Sequence, residues 1–458
     1  EEDFVELTFS DNTTLIGDSQ TLKELFPEIK AQSRSLANAP ELPVSLYSDD
    51  ASRGLVGDIA LKVFKVLTKK SVKQSIKKIA ALIEDKGLEK RSGLYTVSSN
   101  FELTAYKNEG RNTTSKKMLL FIHVTASSTQ GAFDDLKESD VWTDIVSRYK
   151  SDIIAFEHRT LTVSPFENVE ELVSLLPADT TFDVITHSRG GIVGELLVRF
   201  CEDEDGFMEQ SIQLLNDEGR KDDLKNVLSI AGKIKGKKIV IDRFIRVAAT
   251  AAGTSLLSER TDIFLNTLVN LLNFSKPFIP VAGAIKGLIA ATIESKNDFS
   301  ELPGLEAQRP ESIFKKALNT YKNYDENNNP HGFDNRLMVI SGNGKFSISL
   351  NGLKIILTKF FFKWQQNDLI VDTASMYQGA KRKYPVQYYL DSSTDTNHFN
   401  YFKNKATRDA LKQALFSTTD RIPTFKELNN EDFDAAAGRG IFGLDSGRLK
   451  PVEPTGKK

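Results

Sequence analysis

From Lys117 onward, short apolar runs alternate with segments in which apolar residues recur at helical spacing. The runs are short and rich in branched aliphatic residues, so they predict buried strands. The predicted strands are MLLFIHV, DIIAFEH, FDVITH, RFIRVAATAAGTS, NRLMVISGNG and NDLIVDTASM. The predicted helices are VWTDIVSRY, NVEELVSLL, GGIVGELLVRF and TRDALKQALF. This alternation predicts an α/β fold with a doubly wound, mostly parallel sheet that carries helices on both faces.

The α/β pattern assigns residues 113–418 to one large domain. Two stretches interrupt the pattern, an acidic helical one at about 202–238 and an apolar helical one at about 256–318. Insertions that follow the carboxyl ends of strands commonly form caps or lids over an active site. We expect the second insertion to be the lid.

Residues 1–112 predict a small α+β region. Alternating hydrophobicity around Asp11 and Asn12 predicts two short strands, and TLKELFPEI predicts a helix. Between residues 57 and 90, isoleucines, valines and leucines near helical spacing predict one or two amphipathic helices with lysines on their polar face. The tail, residues 419–458, is rich in glycine, proline and charge, which is typical of a linker.

Charge, cysteine content and apolar stretches indicate which kinds of partner and which cellular compartment to expect. With 60 basic and 62 acidic residues the net charge is −2, so we expect no nucleic-acid partner. Cys201 is the single cysteine, which excludes an internal disulfide and favours a cytoplasmic location. The longest apolar stretch, at 267–293, is interrupted by two lysines and two prolines, so we expect no transmembrane segment.

The strongest chemical signal is the segment FDVITHSRGGIVGELLVRF, residues 182–200. It places Ser188 between a predicted strand and a predicted helix, and two glycines follow Arg189. A sharp strand-to-helix turn of this kind, a nucleophile elbow, projects a serine hydroxyl above the sheet beside a helix N-terminus. The usual pattern is G-x-S-x-G, and Thr186 is small enough for the first glycine position. Ser188 is therefore the candidate nucleophile, with a serine in an ordinary structural turn as the alternative.

A second candidate element is the loop within LLFIHVTASSTQGAF, residues 119–133, which follows the first strand of the sheet. In hydrolases with a nucleophile elbow, this loop gives one backbone N–H to the oxyanion, and the residue after the serine gives the other. The candidate donors are Arg189 and either Val124 or Thr125. His123 would either orient this loop or touch the substrate.

The candidate general base is one of five histidines. His187 adjoins the serine on a strand whose successive side chains point to opposite faces, so it cannot easily reach the hydroxyl. His123 and His158 precede the serine, whereas elbow hydrolases have the order serine, acid, histidine. His331 lies in the polar loop NNNPHGFDN, and His398 lies in DTNHFNYFKN after the last predicted strand. His398 is therefore the candidate base.

The candidate acid lies in NDLIVDTASM. Asp368 precedes the apolar LIV, and a carboxylate at this position would hold the imidazole of the base in the correct tautomer. Asp372 is the second choice. Capping of the loop is the alternative role for either aspartate.

Two motifs, FIHVTASST and THSRGG, resemble segments of bacterial α/β-hydrolase-like proteins that are similar to lipases and PGAP-type esterases. The group typically has FIHGTASST and SHSRGG there. The resemblance extends to VAATAAGTSL, NDLIVDTASM and HFNYFKN, and implies an α/β-hydrolase fold with helical lid insertions and the triad Ser188, Asp368 and His398. Members of the group are often fused to caspase-like domains or occur in bacterial conflict systems, which implies a fused or associated caspase-like domain as a partner.

One departure from the resemblance concerns Val124, where the group has glycine. A β-branched residue does not readily adopt a positive φ angle, so a loop that needs this conformation would be distorted.

The sequence therefore predicts a serine hydrolase that cleaves a carboxylic ester, with lipid esters as the narrower expectation, through an acyl-serine intermediate. It implies no metal or organic cofactor. Two alternatives stay open, a weakly active or inactive hydrolase-fold module that binds a ligand or partner, and a serine peptidase with the same triad.

Overall fold

A computed structural model of the chain describes residues 4–9, 13–18, 42–44, 59–67, 76–88, 91–107, 117–202, 209–259, 261–275, 288–293, 299–319, 336–344, 366–379, 385–393 and 396–428. His331, the segment TLKELFPEI and residues 429–458 of the predicted linker lie outside these ranges.

The strands, in chain order, are β1 (Phe4–Phe9), β2 (Thr14–Asp18), β3 (Leu42–Val44), β4 (Ile59–Leu67), β5 (Gly93–Val97), β6 (Leu103–Ala105), β7 (Lys117–Ile122), β8 (Ile153–Glu157), β9 (Thr181–His187), β10 (Val240–Val247), β11 (Arg336–Gly342), β12 (Val386–Asp391) and β13 (Lys426–Leu428).

The α-helices, in chain order, are α1 (Ile76–Gly87), α2 (Thr129–Phe133), α3 (Asp140–Tyr149), α4 (Pro165–Leu175), α5 (Gly190–Glu202), α6 (Glu209–Asp217), α7 (Lys221–Ile234), α8 (Ser255–Glu259), α9 (Thr261–Ser275), α10 (Pro303–Glu306), α11 (Ile313–Asn319), α12 (Thr373–Tyr377) and α13 (Lys405–Phe416). Residues 288–293 are also helical.

The large sheet has the strand order β13-β12-β11-β10-β9-β7-β8-β5-β6. The strands from β12 through β8 run parallel to their neighbours, and the outer strands β13, β5 and β6 pair antiparallel. The predicted doubly wound, mostly parallel sheet is confirmed. Because consecutive parallel strands end at the same edge, the loops after β7, β8, β9 and β11 lie together there.

The apolar residues of the central strands belong alternately to two cores, one on each face of the sheet. In β7, Leu119 and Phe121 pack into one core, and Met118, Leu120 and Ile122 pack into the other. Successive side chains of a strand point to opposite faces, so a continuous apolar run fills both cores. This is why the runs in the sequence were nearly uninterrupted.

The sheet extends beyond the predicted domain limits of 113 and 418 at both ends. The hairpin of β5 and β6 joins one edge beside β8, and β13 joins the other edge beside β12. Short antiparallel edge strands of mixed polarity lack the apolar run that marked the central strands. Their sequence signal was therefore weaker.

The prediction of a helix at residues 59–67 is wrong, because these residues form β4. The strand pairs with β1, with Val66 opposite Val5 and Phe64 opposite Leu7, and with the short β3. The sequence IALKVFKVL supports both periods, since its lysines three residues apart also suit a helix face. The extended form is adopted because the segment pairs with β1, which lies much earlier in the chain. Helix α1 follows within the predicted stretch.

The segment NDLIVDTASM is also not a strand. It forms a tight loop with an isolated bridge between Asn367 and Asp372, followed by helix α12. The strand that borders β11 is β12, VQYYLD, which mixes polar and apolar residues and therefore lacks the apolar run that marks the central strands.

The two interrupting stretches take different places. Helix α7, in the acidic stretch 202–238, lies alongside α4, where Ser229 donates a hydrogen bond to Glu170 at 2.9 Å. It therefore belongs to the helix layer on one face of the sheet. Helices α8 and α9 of the apolar stretch bury Leu256, Ile263 and Phe264 in the core on the opposite face. None of the described helices combines the length and apolarity needed to cross a membrane.

Candidate active site

Ser188 occupies a sharp turn between β9 and α5. Its φ angle is 53°, in the left-handed region that serine rarely adopts, and its N–H donates to the carbonyl of Val247 at 2.9 Å. Strain of this kind persists only where the surroundings enforce it, and it collects at functional sites. The turn sets the serine hydroxyl at the carboxyl edge of the sheet.

The glycines after Ser188 are required by close approach. A Cβ atom at Gly190 would lie 2.3 Å from the carbonyl oxygen of Ile122, and one at Gly191 would lie 2.4 Å from the Cβ of Ala249. Thr186, which replaces the first glycine of the usual pattern, packs toward Gly194, where a Cβ would lie 2.8 Å from the threonine methyl group. The missing side chain of Gly194 therefore gives room for this threonine.

His398 lies between the serine and an aspartate. Its Nε2 is 2.8 Å from Oγ of Ser188, and its Nδ1 is 2.7 Å from Oδ2 of Asp368. Its backbone N–H also donates to the carbonyl of Asp368 at 3.0 Å. The structure therefore brings together the three side chains that the sequence singled out, in the chain order serine, aspartate, histidine.

The Asp368 carboxylate accepts hydrogen bonds on both oxygens. The N–H groups of Ile370 and Val371 donate to Oδ1 at 3.1 and 2.8 Å, and the hydroxyl of Tyr401 donates to Oδ2 at 2.9 Å. These donors satisfy the carboxylate oxygens and fix the orientation of the carboxylate. Burial raises the pKa of Tyr401 well above its usual range, so the hydroxyl remains a donor. The sequence analysis missed Tyr401, although it lies only three residues after His398.

Asp372, the second choice for the acid, has a different neighbour. Its carboxylate accepts from the N–H and the hydroxyl of Ser255, each at 3.0 Å. Burial raises the pKa of this carboxyl. Asp372 therefore ties the loop that carries Asp368 to the start of helix α8.

The remaining described histidines support the backbone around the site. His187 lies 2.9 Å through Nε2 from the carbonyl oxygen of His398, so it donates to the backbone of the candidate base. His123 lies 2.9 Å through Nδ1 from the carbonyl oxygen of Val124 and accepts on Nε2 from the N–H of His158 at 3.1 Å. Burial lowers the pKa of all three, so they are neutral at pH 7. Of the two roles considered for His123, these contacts match orientation of the loop.

The loop after β7 packs against the serine turn. In this loop the left-handed conformation falls on Ala126, with φ 53°, and not on Val124. The distortion expected from a β-branched residue at 124 therefore does not arise. Thr125 donates through its hydroxyl to Oε1 of Gln308 at 3.1 Å, and Ala126 donates its N–H to the hydroxyl oxygen of Thr160 at 2.8 Å.

The side chain of Arg189 is fully buried. Its guanidinium donates to the carbonyls of Gly304 and Val163 at 3.2 and 2.9 Å and to the amide oxygen of Asn168 at 2.9 Å. Burial lowers its pKa to about 9, so the group remains protonated at neutral pH. Arg189 thus fixes its own backbone N–H, the other candidate oxyanion donor, against the loops around it.

The site is closed to solvent. Ser188 and His398 each expose 1% of their surface, and Asp368 exposes none. Across the described ranges, no group of three or more histidine, cysteine, aspartate and glutamate side chains is arranged to hold a metal ion.

The mostly parallel sheet with a serine elbow between β9 and α5 is an α/β-hydrolase fold. Solved structures similar to this chain include lipase 1 from Pelosinus fermentans (12% identity, 68% of this chain and 100% of that chain, TM-score 0.44). EstA from Clostridium botulinum is 11% identical over 76% of this chain and 100% of that one, with a TM-score of 0.40. The Bacillus licheniformis lipase BlEst2 is 12% identical over 69% of this chain and 96% of that one, with a TM-score of 0.34.

A search of curated proteins found no match. The sequence profile of a domain of unknown function, DUF7379, matches residues 86–213 and 227–416, which together make up more than half of the chain. The chain therefore belongs to the DUF7379 family.

Proposed function

We propose that this protein is a serine hydrolase that cleaves carboxylic esters. The observation that carries the proposal is the hydrogen-bonded series in which His398 lies 2.8 Å from Ser188 and 2.7 Å from Asp368. A histidine that contacts both a strained serine and a buried carboxylate can take the serine proton and be stabilised once it is charged.

In the proposed reaction, Oγ of Ser188 attacks the ester carbonyl while Nε2 of His398 takes the hydroxyl proton. A bond forms between Oγ and the carbonyl carbon, and the carbonyl oxygen becomes an oxyanion held by the N–H groups of Arg189 and Thr125 or Val124. When the oxyanion collapses, the bond to the alcohol breaks and His398 returns the proton to it. Water then attacks the carbonyl carbon of the acyl-serine while Nε2 of His398 takes a proton from the water. When this second oxyanion collapses, the bond between the carbonyl carbon and Oγ breaks, His398 returns the proton to Oγ, and the carboxylic acid leaves.

Asp368 keeps Nδ1 of His398 protonated, so that Nε2 faces the serine, and its charge stabilises the imidazolium. Its two backbone donors and Tyr401 hold the carboxylate in place. These contacts support Asp368 as the acid and leave Asp372 a structural role.

The narrower proposal is an ester with an apolar acyl chain. Helices α8 and α9 bury Leu256, Leu257, Ile263, Phe264 and Leu268 in the same core as the loop that carries Asp368. Because the serine is almost fully buried, substrate entry requires a covering segment to move, and movement of these helices would expose apolar surface. Such a surface suits an acyl chain.

The test is covalent labelling with a fluorophosphonate probe, read by intact mass. We expect labelling of the wild type at Ser188 and none in Ser188→Ala, with strong loss in His398→Ala. Ser229→Ala is the matched control, since this serine contacts Glu170 on the outer helix layer and should label like the wild type. A folded wild type that stays unlabelled, even with detergent to open the site, would overturn the proposal.

Substrate class is decided by a panel of p-nitrophenyl esters and matched p-nitroanilides. Faster cleavage of long-chain than of short-chain esters supports the acyl-chain proposal, and exclusive cleavage of anilides would replace the esterase by a peptidase. The cytoplasmic setting and a caspase-like partner stay predictions from the sequence and its motif resemblance.

A further inference from the structure

Glu84 on helix α1 carries a carboxylate that is almost completely buried, with 2% of the residue exposed. Its Oε1 accepts from the N–H groups of Thr160 and Leu161, each at 2.6 Å, and its Oε2 accepts from the hydroxyl of Thr162. A buried charge needs such donors to be tolerated. This carboxylate therefore organises the loop that follows β8.

The loop after β8 is hydrogen-bonded to the candidate oxyanion loop, which follows β7. Thr160, whose N–H is bound by Glu84, accepts through its hydroxyl oxygen the N–H of Ala126 at 2.8 Å. Ala126 follows Thr125 directly and has a φ of 53°, in the left-handed region that alanine rarely adopts. The contact with Thr160 holds this strained residue in place, and with it the adjoining backbone of Val124 and Thr125.

The loop after β8 also reaches the second candidate donor. The carbonyl of Val163 accepts from the guanidinium of Arg189 at 2.9 Å, and the carbonyl of Leu161 accepts the N–H of Gly304, whose own carbonyl accepts from Arg189. Both candidate oxyanion donors are therefore supported by one loop.

The far end of this loop is held separately. Ser164 and Glu167 form a capping box at the start of α4, with Pro165 in the first helical position. Helix α4 thus fixes the loop at 164, and Glu84 supplies the charged anchor at 160–162. Glu84 and Thr160 are 76 residues apart in the chain, so their contact is long-range and depends on the packing of helix α1 against the loop after β8.

We infer that Glu84 is a positioning residue for the oxyanion hole, so that helix α1 is a working part of the active site. The inference rests on the proposed function. Glu84 does not touch the reacting atoms; it acts through Thr160 and the loop that contacts Ala126 and Arg189. Removal of the carboxylate leaves the triad intact but lets the N–H of the loop donor, Thr125 or Val124, turn away from the oxyanion.

The test compares Glu84→Ala, Glu84→Gln and Thr160→Val with Asp85→Asn in the full chain. Asp85 is the next residue of α1, and its exposed carboxylate pairs with Arg159, so it is the matched control. Backbone hydrogen exchange is followed by mass spectrometry in peptides from the segment 123–133, which contains the candidate oxyanion loop and helix α2, and from β9. Hydrolysis of the best ester and the rate of fluorophosphonate labelling are measured alongside.

In Glu84→Ala we expect exchange in the 123–133 peptide to rise about tenfold or more, because opening of the loop is no longer opposed by the anchor. We expect kcat to fall about 100-fold with KM nearly unchanged, as for loss of one oxyanion donor. Glu84→Gln keeps an acceptor and should recover much of the rate. Asp85→Asn and the β9 peptide should match the wild type.

Thr160→Val tests the same link with a side chain of equal shape, and it keeps the inference testable if Glu84→Ala does not fold. Unchanged loop exchange in both Thr160→Val and a folded Glu84 variant would overturn the inference. The exchange result does not depend on turnover, so an unreactive Ser188 in the wild type would refute the proposed function separately from the anchoring of the loop.

Discussion

The hydroxyl of Tyr401 donates to Oδ2 of Asp368, the same oxygen that lies 2.7 Å from Nδ1 of His398. Two donors therefore converge on one carboxylate oxygen in the centre of the candidate site. Tyr401 has space there because Gly342 faces it, and a Cβ at that glycine would lie 2.1 Å from the tyrosine oxygen. The tyrosine therefore restricts rotation of the Asp368 carboxylate and keeps Oδ2 directed at His398.

Replacement of Tyr401 by phenylalanine should lower kcat and leave KM nearly unchanged. The carboxylate of Asp368 loses one of the four hydrogen bonds that its oxygens accept. One such bond is worth about 1 kcal/mol, which corresponds to roughly fivefold in rate. Steady-state ester hydrolysis measures the effect. Tyr149→Phe is the matched control, because Tyr149 donates to the buried carboxylate of Asp183 far from the serine. A loss of rate of equal size in both variants would contradict a specific role of Tyr401.

Asp368→Asn and Asp372→Asn should separate the two aspartates. We expect Asp368→Asn to lower kcat by about 10⁴-fold, as when the aspartate of a serine triad is replaced. Asp372→Asn keeps the contact between Asp368 and His398, so its kcat should stay within a few-fold of the wild type, and the weakened link to Ser255 should appear in thermal unfolding. The reverse order of the two kcat values would make Asp372 the acid.

The chain pattern predicted the central sheet because each buried strand carries its own signal. β7 and β8 are nearly continuous apolar runs, β9 carries Phe182, Val184 and Ile185, and the elbow around Ser188 follows from local residue types. His398 could be reached by elimination among five histidines, and Asp368 by its place in the chain order. Local patterns were sufficient for the strands and the elbow, and the two triad candidates needed the chain order as well.

Features that depend on distant contacts were missed. The helix predicted at residues 59–67 is β4, because pairing with β1 outweighs the local spacing of its lysines. Glu84 meets Thr160 only once helix α1 packs on the loop after β8, and nothing near Glu84 in sequence marks it. The residue of the loop after β7 that takes the left-handed conformation was also not evident from the sequence, and the fold assigns it to Ala126 and not to Val124.

The buried histidine His187 should make the protein less stable in mild acid. Burial holds the pKa of its imidazole well below the ordinary value of about 6.5. Below about pH 6.5 the unfolded chain binds a proton that the native state excludes, so the free energy of unfolding falls as the pH falls. The expected slope is about 1.4 kcal/mol per pH unit for this residue.

Urea unfolding of the wild type and of His187→Gln between pH 7.5 and 5.5 measures this contribution. Glutamine keeps an N–H for the carbonyl of His398 but does not titrate. The slope of the free energy of unfolding against pH should therefore decrease by about 1.4 kcal/mol per pH unit, the contribution of one proton. Buried carboxyls with raised pKa, such as Asp372, act in the opposite direction and are common to both proteins. Equal slopes in the two proteins would show that His187 titrates normally in the fold.

Val124→Gly should not increase activity. Val124 is buried and has no positive φ, so glycine removes apolar packing without relieving strain, and we expect a loss of stability of about 3 kcal/mol from the side chain and the freer backbone. Ala126→Gly is the matched control in the same loop, where the positive φ suits glycine and stability should stay within about 1 kcal/mol of the wild type. Thermal unfolding and ester hydrolysis measure both variants. A tenfold gain in kcat for Val124→Gly would mean that the valine does distort the oxyanion loop, and would favour a weakly active module over an efficient esterase.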